Sequence, residues 1–73
     1  MRDDVKAKSR EFIEKAVDKG YSKDTVMAGC ILACGDHQEE GHEIETFEKF
    51  IEFIEESKDE DEFIKKATGL FGL

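Results

Sequence analysis

Residues 43–56 read Glu43-Ile44-Glu45-Thr46-Phe47-Glu48-Lys49-Phe50-Ile51-Glu52-Phe53-Ile54-Glu55-Glu56. At 100° per residue, Ile44, Phe47, Phe50, Ile51, Phe53 and Ile54 cover about half of a helix circumference. Glu45, Glu48, Glu52, Glu55 and Glu56, with Lys49, take the other half. The spacing predicts an amphipathic helix over 43–56, with its apolar face in a core and its acids in water.

Upstream stands a different kind of segment. From Thr25 to Cys34 there is not one charge: Thr-Val-Met-Ala-Gly-Cys-Ile-Leu-Ala-Cys. Ser22 reads as an N-cap and Asp24 as a first-turn acid, which predicts a helix from Lys23 to Cys34. A helix that is apolar all round is a buried one, so this helix is expected at the centre, wrapped by the others. Ala28, Gly29, Cys30, Ala33 and Cys34 are small enough to let neighbours approach. Gly29 costs about 1 kcal/mol against Ala in a helix, so a packing reason is expected for it. Gly35 is the expected C-cap, and residues 36–42 form a polar loop.

The outer segments complete the pattern. A first helix is expected from Asp3 or Asp4, whose carboxylates suit its N-terminus. Val5, Phe12, Ile13, Ala16 and Val17 fall on one face. Lys19-Gly20 ends it, with Tyr21 folding back as the apolar residue after the glycine. After a break at 57–61, Asp59 followed by Glu62 resembles a capping box. A last helix, about 60–68, presents Phe63, Ile64 and Ala67. Gly69 is its expected stop, and Leu70-Phe71-Gly72-Leu73 an apolar tail. The fold class read from this order is all-α: one domain over 1–73, a compact bundle of about four short helices.

Charge is unevenly spread. Between Asp36 and Glu62 there are thirteen acids against Lys49 and Lys58, a net of −11 in a chain that nets −8. The remainder is slightly basic. Direct binding to nucleic acid is disfavoured, because phosphate contacts need Lys and Arg. No apolar run approaches the roughly 20 residues that span a bilayer. Met1-Arg2-Asp3-Asp4 does not read as a signal peptide, and Cys30 and Cys34 fit free thiols in a reducing compartment. The expected location is the cytoplasm. Ile, Leu, Val and Phe are too frequent for a disordered chain. A 73-residue monomer buries only roughly 60% of its unfolded surface, so a homodimer is a reasonable way to cover surplus apolar area.

Candidate chemistry is sparse. Cys30, Cys34, His37 and His42 are all residues that zinc uses. Their spacing does not match modules that separate two ligand pairs by a dozen residues. The reading preferred here is two small buried cysteines and two loop histidines, with no metal or other cofactor. Ile44 to Phe50 looks like the second half of an EF-hand. His37, Glu39 and Gly41 stand where that loop needs Asp or Asn, and Gly41 is one place off the required turn. Residues 16–26, Ala-Val-Asp-Lys-Gly-Tyr-Ser-Lys-Asp-Thr-Val, resemble the first corner of a ubiquitin-associated domain. A Met usually precedes that glycine, and here Lys19 does. The likeness implies local geometry and carries no binding residues across. There is no phosphate-binding glycine loop, nucleophile elbow or metalloprotease helix, and the chain is not expected to be an enzyme.

The expected function is a binding or regulatory protein whose acidic surface, about 36–62, engages a basic partner protein. Glu45, Glu48, Glu52, Glu55, Glu56, Asp59 and Glu60 are the candidate contacts. A row of carboxylates on a rigid helix can mimic a nucleic-acid backbone and occupy a nucleic-acid-binding protein. In size and charge the chain resembles small phage-type inhibitors such as anti-CRISPR and anti-restriction proteins. Two alternatives stand beside this. One is a hydrophobic docking or dimerisation module, using the Phe47–Phe53 face or the Leu70–Leu73 tail, whose charges are only a solvated face; the other is the small zinc-binding domain.

Overall fold

Helical periodicity, capping residues and turn glycines place four helices in order. The computed structural model describes residues 3–34 and 42–72. It contains α1 (Asp3–Asp18), α2 (Lys23–Cys34), α3 (Glu43–Glu56) and α4 (Glu60–Leu70). The expected cap at Gly35, and Asp36, His37, Glu39 and Glu40, lie outside the described residues.

The helix ends follow from local chemistry. Gly20 takes φ +81°, a conformation that side chains with a Cβ disfavour. It lets the Gly20 amide donate to Val17 O at 2.9 Å and the Tyr21 amide to Ala16 O at 3.0 Å. This is the Schellman arrangement, and it turns Tyr21 back onto the core, where it is buried. At the start of α4 the Asp59 carboxylate accepts the Glu62 amide at 2.9 Å, so the expected cap is present. The far end differs from expectation. Gly69 does not stop α4, which continues through Leu70, and Gly72 takes the left-handed φ of +73°. The extra turn carries Phe71 over Phe50, ring centroids 6.2 Å apart, and that contact rewards continuing the helix past a residue of low propensity.

The core is an aromatic network in which Phe50 meets the most rings and Phe12 is the hub where all four helices meet. Phe12 lies 5.8 Å from Phe47, 5.7 Å from Phe50 and 6.1 Å from Phe63, centroid to centroid. Phe53 and Phe71 join through Phe50, and Tyr21 through Phe63 at 5.3 Å. Phe12, Phe47, Phe50 and Ile54 are fully buried and Phe63 nearly so. α3 supplies the broad apolar face its sequence promised: Phe47, Phe50, Ile51 and Ile54 are buried, with Ile44 and Phe53 half-buried against them. One chain's core therefore takes up most of that face, leaving Ile44 and Phe53 half-buried.

α2 stands where expected but is not wrapped by its neighbours. Only Val26, Gly29 and Ala33 are buried, while Met27 is 55% and Ile31 65% exposed. The physical reason is the size of the bundle. Three helices already enclose the phenylalanine cluster, and the fourth can only lie over it on one face. On α1 the same limit leaves Ile13 and Val17 exposed beside the buried Val5, Phe12 and Ala16. At 100° per residue they stand about 100° and 140° round from Phe12. Gly29 has the packing role expected of it. A Cβ built there would stand 2.7 Å from Phe12 Cζ and 3.0 Å from Phe12 Cε2.

Replacing Gly29 by Ala should therefore destabilise the fold. Better helix propensity offers about 1 kcal/mol back, but the Phe12 ring is hemmed in by three others and cannot retreat. A net loss of about 1–2 kcal/mol is expected from overpacking, seen as a lower urea midpoint at unchanged slope. Ser57→Ala and Tyr21→Phe should behave oppositely. Among the described residues their hydroxyls are buried without a hydrogen-bond partner, and removing an unsatisfied group should leave the midpoint unchanged or raised.

Candidate functional site

α3 presents Glu45, Glu48, Glu52, Glu55 and Glu56 as exposed side chains on the face opposite its buried phenylalanines. Because the inner face is fixed by the core, the acid row is held in a set pattern. It is less bare than its sequence suggests. Lys8 lies 3.6 Å from Glu48 and Lys15 lies 3.4 Å from Glu55. Lys66 of α4 lies 3.5 Å from Glu56, and Lys49 is 3.7 Å from Glu52 on the same helix.

These pairs reveal the course of the chain. Lys8 and Lys15 are seven apart, as are Glu48 and Glu55, and they match in ascending order. α1 and α3 therefore lie side by side in parallel, joined along one flank by a ladder at heptad spacing. All these groups are substantially exposed, and pairs of this kind contribute about 0–1 kcal/mol each. The lysines lower the acid row's net charge without locking it. The signal was present in the sequence: lysines at 8 and 15 match the spacing of the glutamates, although nothing local said that α1 and α3 would be neighbours.

The last two candidate acids have work inside the fold. The Asp59 carboxylate caps α4. Glu60 Oε1 and Oε2 accept the Ser22 amide at 3.2 and 3.3 Å, and Oε2 accepts the Ser22 hydroxyl at 2.9 Å. The Thr25 hydroxyl also donates to Glu60 Oε2. Ser22 caps α2 by accepting the Thr25 amide at 3.3 Å. One carboxylate thus clips the N-terminus of α2 to the N-terminus of α4. Hydrogen bonds from Thr25, then Ser22, lower the Glu60 carboxyl from its ordinary value, against a smaller opposing effect of desolvation. Sequence reasoning placed Glu60 in a partner-binding row; its link to Ser22 and Thr25, far away along the chain, had no local signature.

The zinc candidates do not converge among the described residues. Cys30 is half-buried against the core and Cys34 is exposed. His37 lies outside the described residues. His42 precedes α3, and its carbonyl accepts the Thr46 amide and hydroxyl, each at 3.0 Å. Among the described residues no three His, Cys, Asp or Glu side chains gather closely enough to hold a metal ion. Burial, then neighbouring Cys34, pushes the Cys30 thiol up; burial, then Glu43, does the same for Cys34. Both effects disfavour the thiolate that zinc and electrophiles require.

A second surface was not anticipated. Between α2 and α4 lies a groove of about 200 Å³ lined by Ala28, Gly29, Leu32, Ile64 and Ala67, with Asp24 at one end. Met27 and Ile31 stand exposed on α2 outside the groove lining, Ile31 bordering it beside Asp24 and Ala28 and Met27 turned away, and Ile64 on the groove's other wall is 39% exposed. The sequence signal was there, because ten uncharged residues in a row must expose some apolar area if the helix is not enclosed. The preference for full burial concealed it.

Among the described residues no helix is long and apolar enough to cross a membrane. Among the described residues the fold and its surfaces define a small acidic four-helix bundle with a charged face on α3 and an apolar surface on α2. No family model, curated protein or solved structure matches this chain.

The Glu60 clip should make stability depend on acid. Its carboxyl is held below its unfolded value, so the stabilisation is present above the ordinary glutamate value of about 4.3. It is lost as the pH falls through the lower folded value. Glu60→Gln should flatten this part of the stability–pH curve, and Thr25→Val should do so in part. Urea titrations between pH 2.5 and 7 would show it.

Proposed function

We propose that this chain is a non-enzymatic binding protein of the cytoplasm that engages a basic surface of a partner protein, as small acidic phage-type inhibitors do. The observation that carries the reading is the exposed row Glu45, Glu48, Glu52, Glu55 and Glu56 on a helix whose opposite face is locked in the core. A rigid array of carboxylates can match a fixed pattern of Lys and Arg, which a disordered acidic tail cannot. The intramolecular lysines support exchange rather than prevent it. They sit 3.4–3.7 Å from their glutamates in exposed pairs, and arginines of a partner form stronger, bidentate contacts with the same carboxylates. A net charge of −8 adds long-range attraction that speeds encounter.

The exposed Met27 and Ile31 support the second reading, docking through an apolar face, on α2 and not on the Phe47–Phe53 face, whose Phe47, Phe50 and Ile51 are buried in the core. Salt separates the two contributions. Capture through carboxylates should weaken steeply between 50 and 500 mM salt, whereas apolar docking should barely respond.

The decisive variant reverses Glu48, Glu52, Glu55 and Glu56 to Lys. It is expected to keep the wild-type circular dichroism spectrum and to lose the proteins that wild-type protein retains from lysate at low salt. A folded variant that captures the same proteins would overturn the acidic-face reading.

A further inference from the structure

We infer that the groove between α2 and α4 is a docking site for a basic amphipathic helix of a partner protein. The inference rests on the reading above that the partner is basic, and adds where and in what form it binds. Along α2 the groove runs from Asp24 to Leu32. That is about 12 Å at 1.5 Å per residue, or two turns of a docked helix. Its lining includes the exposed, small Ala28, so a partner backbone can come close. Leu32 and Ile64 form walls for apolar side chains at i, i+3, i+4 and i+7. At 100° per residue Ile31 borders the groove beside Asp24 and Ala28 and extends its apolar surface outward.

Charge selects the occupant. Asp24 is the one charged residue among the described groove-lining residues. At the same end, the Glu60 carboxylate is bound to Thr25, which also lines the groove. Asp61 stands beside it in the first turn of α4, while Glu62 turns away from the groove toward Lys66 at 3.8 Å. An occupant with Lys or Arg at that end finds complementary charge. A second copy of this chain would bring another −8 to a surface already acidic, so the observations favour a basic helix over self-association.

The test uses the whole chain and a labelled 14-residue helix with Leu on one face and Lys on the other. A scrambled peptide of the same composition, with no apolar face, is the control. The Leu/Lys helix is expected to bind at least ten times more tightly than the scramble, and to shift the amide resonances of Ala28, Gly29 and Leu32. Ile64→Ser combined with Ile31→Ser, at sites exposed enough to spare the fold, should weaken it at least ten-fold. The Glu48, Glu52, Glu55 and Glu56 reversal should retain the groove resonance shifts and the preference over the scramble. Equal binding of both peptides, or resonance shifts confined to α3, would overturn the groove while leaving the acidic face standing. A dimer in sedimentation whose formation shifts the same groove resonances would overturn the basic helix in favour of a second copy. Loss of lysate capture by the α3 reversal with the groove preference intact would support both sites. Groove preference with lysate capture unaffected by that reversal would support the groove and sink only the acidic-face reading.

Discussion

The Phe12 ring fills the space that a side chain at position 29 would need, and on its other sides it meets Phe47, Phe50 and Phe63. All four helices touch at this one residue. Phe12 is α1's own contribution, Phe47 and Phe50 come from α3, Phe63 from α4, and α2 arrives as bare backbone. For a chain of 73 residues a total stability of roughly 4–11 kcal/mol is typical. Removing a buried phenylalanine costs about 3–5 kcal/mol, so a large fraction of the fold's stability runs through this contact. The absence of a Cβ at 29 lets α2 close on the ring.

Electrostatics organises the outside of that core in two ways. The Lys8–Glu48 and Lys15–Glu55 pairs run along the parallel α1–α3 contact. Glu60 ties the starts of α2 and α4 together through Ser22 and Thr25. The second arrangement is more specific, because several donors converge on one carboxylate. It also divides the acidic segment by role: Asp59 and Glu60 serve the fold, while the α3 glutamates face outward with exchangeable lysines. A segment that looks uniform as composition is mixed as structure.

How much of this was legible in the sequence depended on the range of the signal. The Gly20 turn, the Asp59 cap and the span of α3 are local chemistry, and all were readable. The packing role of Gly29 could be anticipated because a helix-interior glycine needs a reason. Phe12 as hub could not, since one phenylalanine on α1 looks no different from Ile13 beside it. Nor could the partial exposure of α2. Its composition says that burial is favourable, but composition does not count how many neighbours a small bundle can supply. The same holds for Gly69, where a tertiary reward at Phe71 outweighed a local stop signal. Most misses concern contacts between residues far apart in sequence; the exposure of Ile13 and Val17 is the exception, since their 100° and 140° offsets from Phe12 are local helix geometry.

The thin attachment of α2 has a consequence for motion. Its buried residues are Val26, Gly29 and Ala33, and two of the three bring almost no apolar area. Helices that bury little open at lower free energy, so α2, with only Cys30 and Leu32 packed on the core beside these, opens more readily than α3. The Glu60 clip at its first turn makes it hinge there, its far end lifting first. The amides of Ile31 to Cys34 would then exchange with solvent well before those of α3. Each such opening uncovers Phe12, so the lifetime of the closed α2 sets how long the hub stays dry.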